Sequence, residues 1–211
     1  DGRWGLRRAL GGPGPAGAID PAAPLAVDEV YFKTYPSCAF TQEAIAVSSR
    51  LACGGIDPST VERIDVDVYS AAAQYPGCDN GTDLDSTLAR QMSIQFAVAA
   101  TVVDGVLRPA RLAGAADPAI TGLAARTRVR ANPDVDHLYP DRRLVGVTVE
   151  RRDGRSHREE GGGVVGLTDD QVVEKFRGYA GGRLGPDGVR RVVDLVRKPG
   201  TEVRDLVSSL C

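Results

Sequence analysis

Apolar residues recur along this chain with two different periods. Ala44, Ile45, Val47, Ser48, Leu51 and Ala52 form a stripe at helical spacing, which predicts a helix over 42–52 ended by Gly54-Gly55. Between Val61 and Tyr69 the pattern alternates, with Ile64, Val66 and Val68 on one side and Arg63, Asp65 and Asp67 on the other. That is the signature of a half-buried strand. Thr87 to Val103 is apolar almost throughout its second half and stops at Asp104-Gly105, so it reads as one helix. Its Ala97, Ala99 and Ala100 permit a very close neighbour. Asp117-Pro118 opens a short helix to about Ala125, with the acid as cap and the proline at the first helical position.

Thr127–Ala131 and Leu144–Arg151 read as strands. Asp153-Gly154 is a hairpin signal and leads into a further strand around Ser156–Glu159. Thr168-Asp169-Asp170 caps a helix over Gln171–Tyr179, a second spans about Pro186–Arg197, and a last short one runs Glu202–Leu210. The remaining segments read as connections. Asp1–Leu10 fits the end of a helix, Gly11–Pro24 a flexible linker, and Val27–Lys33 a strand or an extended lead-in. Ala71–Ser86 reads as a polar loop, and Gly161-Gly162-Gly163 as a flexible connection. The order of elements predicts an α+β portion followed by carboxy-terminal helices.

Composition narrows the function classes. With 211 residues, 42% apolar and 26% charged, the chain has an ordinary globular make-up. A net charge of −2 gives no general attraction to nucleic acid or to an anionic membrane, and no run of 18 apolar residues exists. Cys38, Cys53, Cys78 and Cys211 show no CxxC spacing, and His137 and His157 are the only histidines, so a zinc site is not expected. Free thiols in a reducing cytoplasm are the simplest reading. Asp79, Asp83 and Asp85 lack the closing Glu of a Ca²⁺ loop.

One charge stands out. Of 26 Lys plus Arg, only Lys33, Lys175 and Lys198 are lysines. Lys33 lies in Phe32-Lys33-Thr34-Tyr35-Pro36-Ser37-Cys38, directly before the first helix. An arginine stays charged at working pH, whereas a lysine is tunable by burial. Two readings fit: an anion-binding or proton-transferring lysine at a helix mouth, and a surface lysine whose stem covers Tyr35.

Several stretches together resemble the carboxy-terminal portion of the MmgE/PrpD family, which includes 2-methylcitrate dehydratase and cis-aconitate decarboxylase. They are Phe32–Cys38, Gly55-Ile56-Asp57-Pro58 with Val61–Val66, Ala89–Ala99 ending at Asp104-Gly105, Asp153-Gly154, and Leu167-Thr168 leading to Lys175-Phe176. The resemblance implies an α+β lid domain, an antiparallel sheet with helices, plus carboxy-terminal helices that join an all-α domain. Residues 1–26 would be the end of that domain and a linker, 27–163 the lid, and 164–211 the returning helices. It also implies a cleft in which Lys33 and Cys38 are catalytic and Tyr35, Gln42, Arg90, Gln95 and Phe96 bind substrate. Phe96 falls where the family usually carries a Tyr, and Gln42 where many members carry a His. For Arg90 and Gln95 a solvated helix face or a helix–helix hydrogen bond fits equally well.

The implied chemistry is cofactor-independent loss of water or CO₂ from a small carboxylate-bearing molecule. Most of the helical half is expected on a separate partner chain, giving a heterodimer or a pair of heterodimers; its removal from one longer chain is the competing explanation. Loss of the family's Tyr and His groups leaves two alternatives open, a recruited isomerase or cyclase of a bacterial biosynthetic pathway and a non-catalytic regulatory subunit.

Overall fold

A computed structural model describes residues 30–163 and 166–210. The readings for 1–26 and for Val27–Glu29 lie outside the described residues. Phe32–Cys211 belong to one compact unit.

The first helix, α1 (Gln42–Cys53), buries Ala44, Ile45, Val47, Ser48 and Leu51, as its stripe requires. The chain then turns through Asp57, whose carboxylate accepts the Ser59 N–H at 2.9 Å, and enters β1 (Val61–Val68). Three further strands complete a sheet: β2 (Thr127–Ala131), β3 (Val145–Arg151) and β4 (Ser156–Gly161), in the order β2-β1-β3-β4. β1 pairs antiparallel with β3, setting Ile64 against Val149, and β3 pairs antiparallel with β4. The antiparallel sheet implied by the resemblance holds for these two pairings, while β2 runs parallel to β1 with Ile64 opposite Thr127. The helices between the two strands form a crossover that returns the chain in its original direction, as parallel pairing demands.

Two segments depart from their local patterns. Ala71–Ser86 is not wholly a polar loop: α2 (Ser70–Ala73) begins it, and Cys78 and Leu84 turn into the core. The single helix expected over 87–103 is two, α3 (Thr87–Met92) and α4 (Ile94–Asp104). They meet at Ser93, whose ψ of 120° is extended. Its hydroxyl accepts the Phe96 N–H at 2.9 Å and donates to the Asn80 carbonyl at 2.5 Å. A serine cap thus restarts the helix where apolar content alone continues unbroken. Every residue from Ile94 to Val102 is buried, so α4 is the central helix, packed on α1 and on α6 (Pro118–Ala124). Between them lies α5 (Pro109–Leu112), whose Arg111 clamps Asp104 at 2.6 Å and Asp117 at 2.9 Å.

The inner sheet face is apolar: Ile64, Val66, Val68, Val147 and Val149 are fully buried. The outer face is an ion-pair lattice. Asp65 is gripped by Arg63 at 3.0 Å and Arg130 at 2.6 Å, so this outward-pointing acid is only 4% exposed. Arg158 lies across Gly146 to reach Asp67 at 2.7 Å, and a Cβ on Gly146 would stand 2.4 Å from that guanidinium.

After residue 166 comes a helical tail. α7 (Asp169–Arg197) opens with a capping box between Thr168 and Gln171. The two helices expected over 171–179 and 186–197 both lie within this span, the first being longer because Gly181 and Gly182 stay helical. Gly185, at φ 66°, breaks it into a hairpin whose arms are tied by Asp170 and Arg197 at 3.5 Å. α8 (Val203–Ser208) ends the described chain.

Candidate active site

The stretch 34–41 has no regular hydrogen-bond ladder before its final 3₁₀ turn, Ala39–Thr41, so side chains must fix it. Gln42 does most of this. Its Oε1 accepts the Tyr35 N–H at 2.9 Å, and its Nε2 donates to the carbonyls of Tyr35, Ser37 and Cys38 at 3.1–3.2 Å. Ser37 Oγ donates to the Gln91 carbonyl at 2.7 Å, and the Cys38 N–H donates to the same oxygen at 3.0 Å. Thr41 Oγ1 reaches both Ser37 Oγ and the Cys38 carbonyl. The loop is thereby pinned to the end of α3.

Lys33 stands outside this network. It is exposed, and its Nζ reaches only the Ser37 carbonyl, at 3.4 Å. A second lysine comes to it from the tail: Lys175 Nζ donates to the Lys33 backbone carbonyl and lies 5.6 Å from the Tyr179 ring centroid. Burial, and then the charge of Lys33, pull the Lys175 ammonium below its ordinary value. Two of the three lysines therefore meet at one place although 142 residues separate them.

Cys38 is half-buried, and its sulfur lies 3.8 Å from that of Cys78 and 3.8 Å from the Met92 carbonyl. The hydrogen bond shared with Cys78, joined by donors around Thr41, outweighs burial and lowers the Cys38 thiol below its ordinary value, while the same contact raises that of Cys78. Next to Gln42, Glu43 is only 8% exposed, and burial raises its carboxyl above the ordinary range against the opposing charges of Arg143 and Arg50. Burial also raises the Tyr35 phenol. Tyr69, stacked on Tyr139 at 4.9 Å, is buried with an unpartnered hydroxyl, and desolvation holds it protonated.

The other expected site residues face inward. Arg90 is 3% exposed and donates to three carbonyls, Leu84 at 2.7 Å, Leu112 at 3.2 Å and Gly114 at 2.7 Å. It ties two loops to α3. Gln95 holds Asp79 at 2.5 Å and the Asn80 N–H at 3.0 Å. Phe96 is fully buried. The structure thus gathers Lys33, Tyr35, Cys38 and Gln42 along one loop, and gives Arg90, Gln95 and Phe96 internal partners. Sequence reasoning passed over Lys175, Glu43, Cys78 and Tyr69. Scarcity of lysine marked Lys175, while nothing in the spacing of Cys38 and Cys78 marked their meeting. Among the described residues no group of three His, Cys, Asp or Glu side chains is placed to hold a metal ion.

A mixed four-stranded sheet backed by α1 and α4, with a lysine-bearing loop at the head of α1, makes a mixed α/β domain. A family model described as the MmgE/PrpD C-terminal domain matches residues 35–198, and the chain belongs to this family. The family is one of dehydratase and lyase-like proteins. Among curated proteins nothing matches. No helix among the described residues is long and apolar enough to cross a membrane.

Proposed function

We propose that this chain is the lid-bearing subunit of a cofactor-independent lyase that removes water or CO₂ beside a carboxylate of a small molecule. The observation that carries the reading is the Lys175 ammonium on the Lys33 backbone carbonyl, with the Lys33 ammonium on the carbonyl of Ser37, the residue before Cys38. Two ammonium groups on one rim suit a substrate with more than one carboxylate. Loss of water or CO₂ from such a molecule leaves negative charge next to a carboxylate, and a fixed cation stabilises that charge. Cys38, with its lowered thiol, moves the proton, and Gln42 holds the loop that carries it.

The helical half of the enzyme is supplied by a separate chain. The tail supports this: Val196, Val203 and Leu210 are 64%, 75% and 41% exposed. An apolar groove of about 230 Å³ runs between the arms of α7, lined by Val172, Phe176 and Val192. Apolar surface of this kind is what a helical partner covers.

The test is turnover of cis-aconitate and 2-methylcitrate, followed by NMR, with the chain mixed with an all-helical MmgE/PrpD half. Lys33→Ala is expected to lower kcat/KM by about 10²-fold or more, the usual scale for a positioned proton-transfer or charge-stabilising group, with melting unchanged. Full activity in Lys33→Ala contradicts the assignment. A second reading, a non-catalytic subunit, draws on the internal engagement of Arg90, Gln95 and Phe96. It predicts that the partner turns over equally well with wild-type chain and with Lys33→Ala.

A further inference from the structure

Cys38 and Cys78 are separated by 40 residues, yet their sulfurs lie 3.8 Å apart, at van der Waals contact. The two differ in access: Cys38 is half-buried on the loop, whereas Cys78 is fully buried behind it. To form a bond the sulfurs must close to about 2.05 Å, and both thiols must lose their hydrogens to an oxidant. Backbone on both sides is anchored, since the Cys38 N–H is held by the Gln91 carbonyl and the Cys78 carbonyl by the Ile94 N–H at 2.9 Å.

We propose that Cys38 is a modification site for hydroperoxides, with Cys78 as its resolving thiol, so that the pair forms a reversible disulfide across the candidate site. In the first step the Cys38 thiolate attacks the outer peroxide oxygen. An S–O bond forms, the O–O bond breaks, and the released alkoxide or hydroxide takes up a proton. In the second step the Cys78 sulfur attacks the Cys38 sulfenic acid; the S–S bond forms, the S–O bond breaks, and the hydroxide leaves as water with the Cys78 proton. The thiols lose two electrons and the peroxide gains two. A dithiol reductant reverses the bond by exchange and is itself oxidised. The lowered Cys38 thiol supplies the thiolate that such chemistry requires. The bridge would withdraw the Cys38 thiol from the loop beside Lys33 and staple that loop to the segment before α3. This inference stands on thiol geometry and does not depend on the lyase reading.

The full chain is treated with hydrogen peroxide at pH 7.5, quenched with N-ethylmaleimide and mapped without reduction. The expected result is loss of two alkylatable thiols, a mass decrease of about 2 Da for the unalkylated protein, and a peptide joining Cys38 to Cys78, all reversed by dithiothreitol. Cys78→Ser is expected to leave a sulfenic acid on Cys38 that dimedone traps, and Cys38→Ser to abolish both products. Wild-type mapping decides the matter even if Cys78→Ser does not fold. Cys38 ending as sulfinic acid without a bridge overturns the proposal. So does a bridge to exposed Cys53 or to Cys211, or unchanged Cys38 at doses that oxidise Cys53.

Discussion

The sheet-and-helix core and the helical tail belong to one unit but are built on different terms. In the core, α4 is buried on all sides, and Ile45, Ile64, Phe96, Ile120 and Val147 have no exposure at all. In the tail, Val189, Val192 and Ser209 are the buried residues among those described, while Val196 and Val203 stay in solvent. A fully buried large side chain contributes about 1.5–3 kcal/mol, so the core carries its own stability and the tail carries little. The difference teaches where the molecule is finished and where it waits. Lys33 sits on the boundary, on a core loop with a tail lysine laid against its backbone.

The strongest way to break this contrast is to hollow the core. Phe96→Ala is expected to cost about 3–5 kcal/mol, measured by urea unfolding, because a cavity opens around a fully buried ring in the first turn of α4. Phe96→Tyr sharpens the point: a hydroxyl without a partner in this packed site is expected to destabilise the isolated chain. Next in size, Arg90→Ala is expected to cost about 2–3 kcal/mol by the same measurement, because buried carbonyls of Leu84 and Leu112 lose their donor. The tail should behave oppositely. Val196→Asp with Val203→Asp is expected to move the melting of the isolated chain by no more than about 0.5 kcal/mol, while abolishing co-elution with a helical half.

The smallest effect carries a sign. Glu43 has its carboxyl raised by burial above the ordinary 4.5, so the folded chain holds that proton more tightly than the unfolded one. Its contribution is therefore fully present below 4.5 and is lost as pH rises through the folded value. Glu43→Gln removes that loss. Thermal melts should show the variant more stable than wild type at neutral pH, with the gap closing toward pH 4.

Local pattern reading recovered what local physics controls. The stripe of α1, the alternation of β1, the Asp117-Pro118 cap and the Asp153-Gly154 hairpin each state their structure in a few neighbouring residues. The break at Ser93 was hidden within an unbroken apolar run, and the serine that caps the new helix is also held by the Asn80 carbonyl, thirteen positions earlier. The parallel placement of β2 was hidden too, since register is set by the crossover. At the site, Lys33 and Gln42 were legible as candidates. The locking of Gln42 onto four backbone groups, the burial of Arg90, and the meetings of Lys33 with Lys175 and of Cys38 with Cys78 arise only from the tertiary fold.

Hydrogen exchange on the isolated chain tests the contrast between core and tail most directly. Amides of 42–53, 61–68 and 94–104 are expected to exchange at rates set by global unfolding, and those of 169–210 to exchange orders of magnitude faster, slowing once a helical half is added. A tail protected as strongly as α4 in the isolated chain would contradict the account, because such a tail would need no partner.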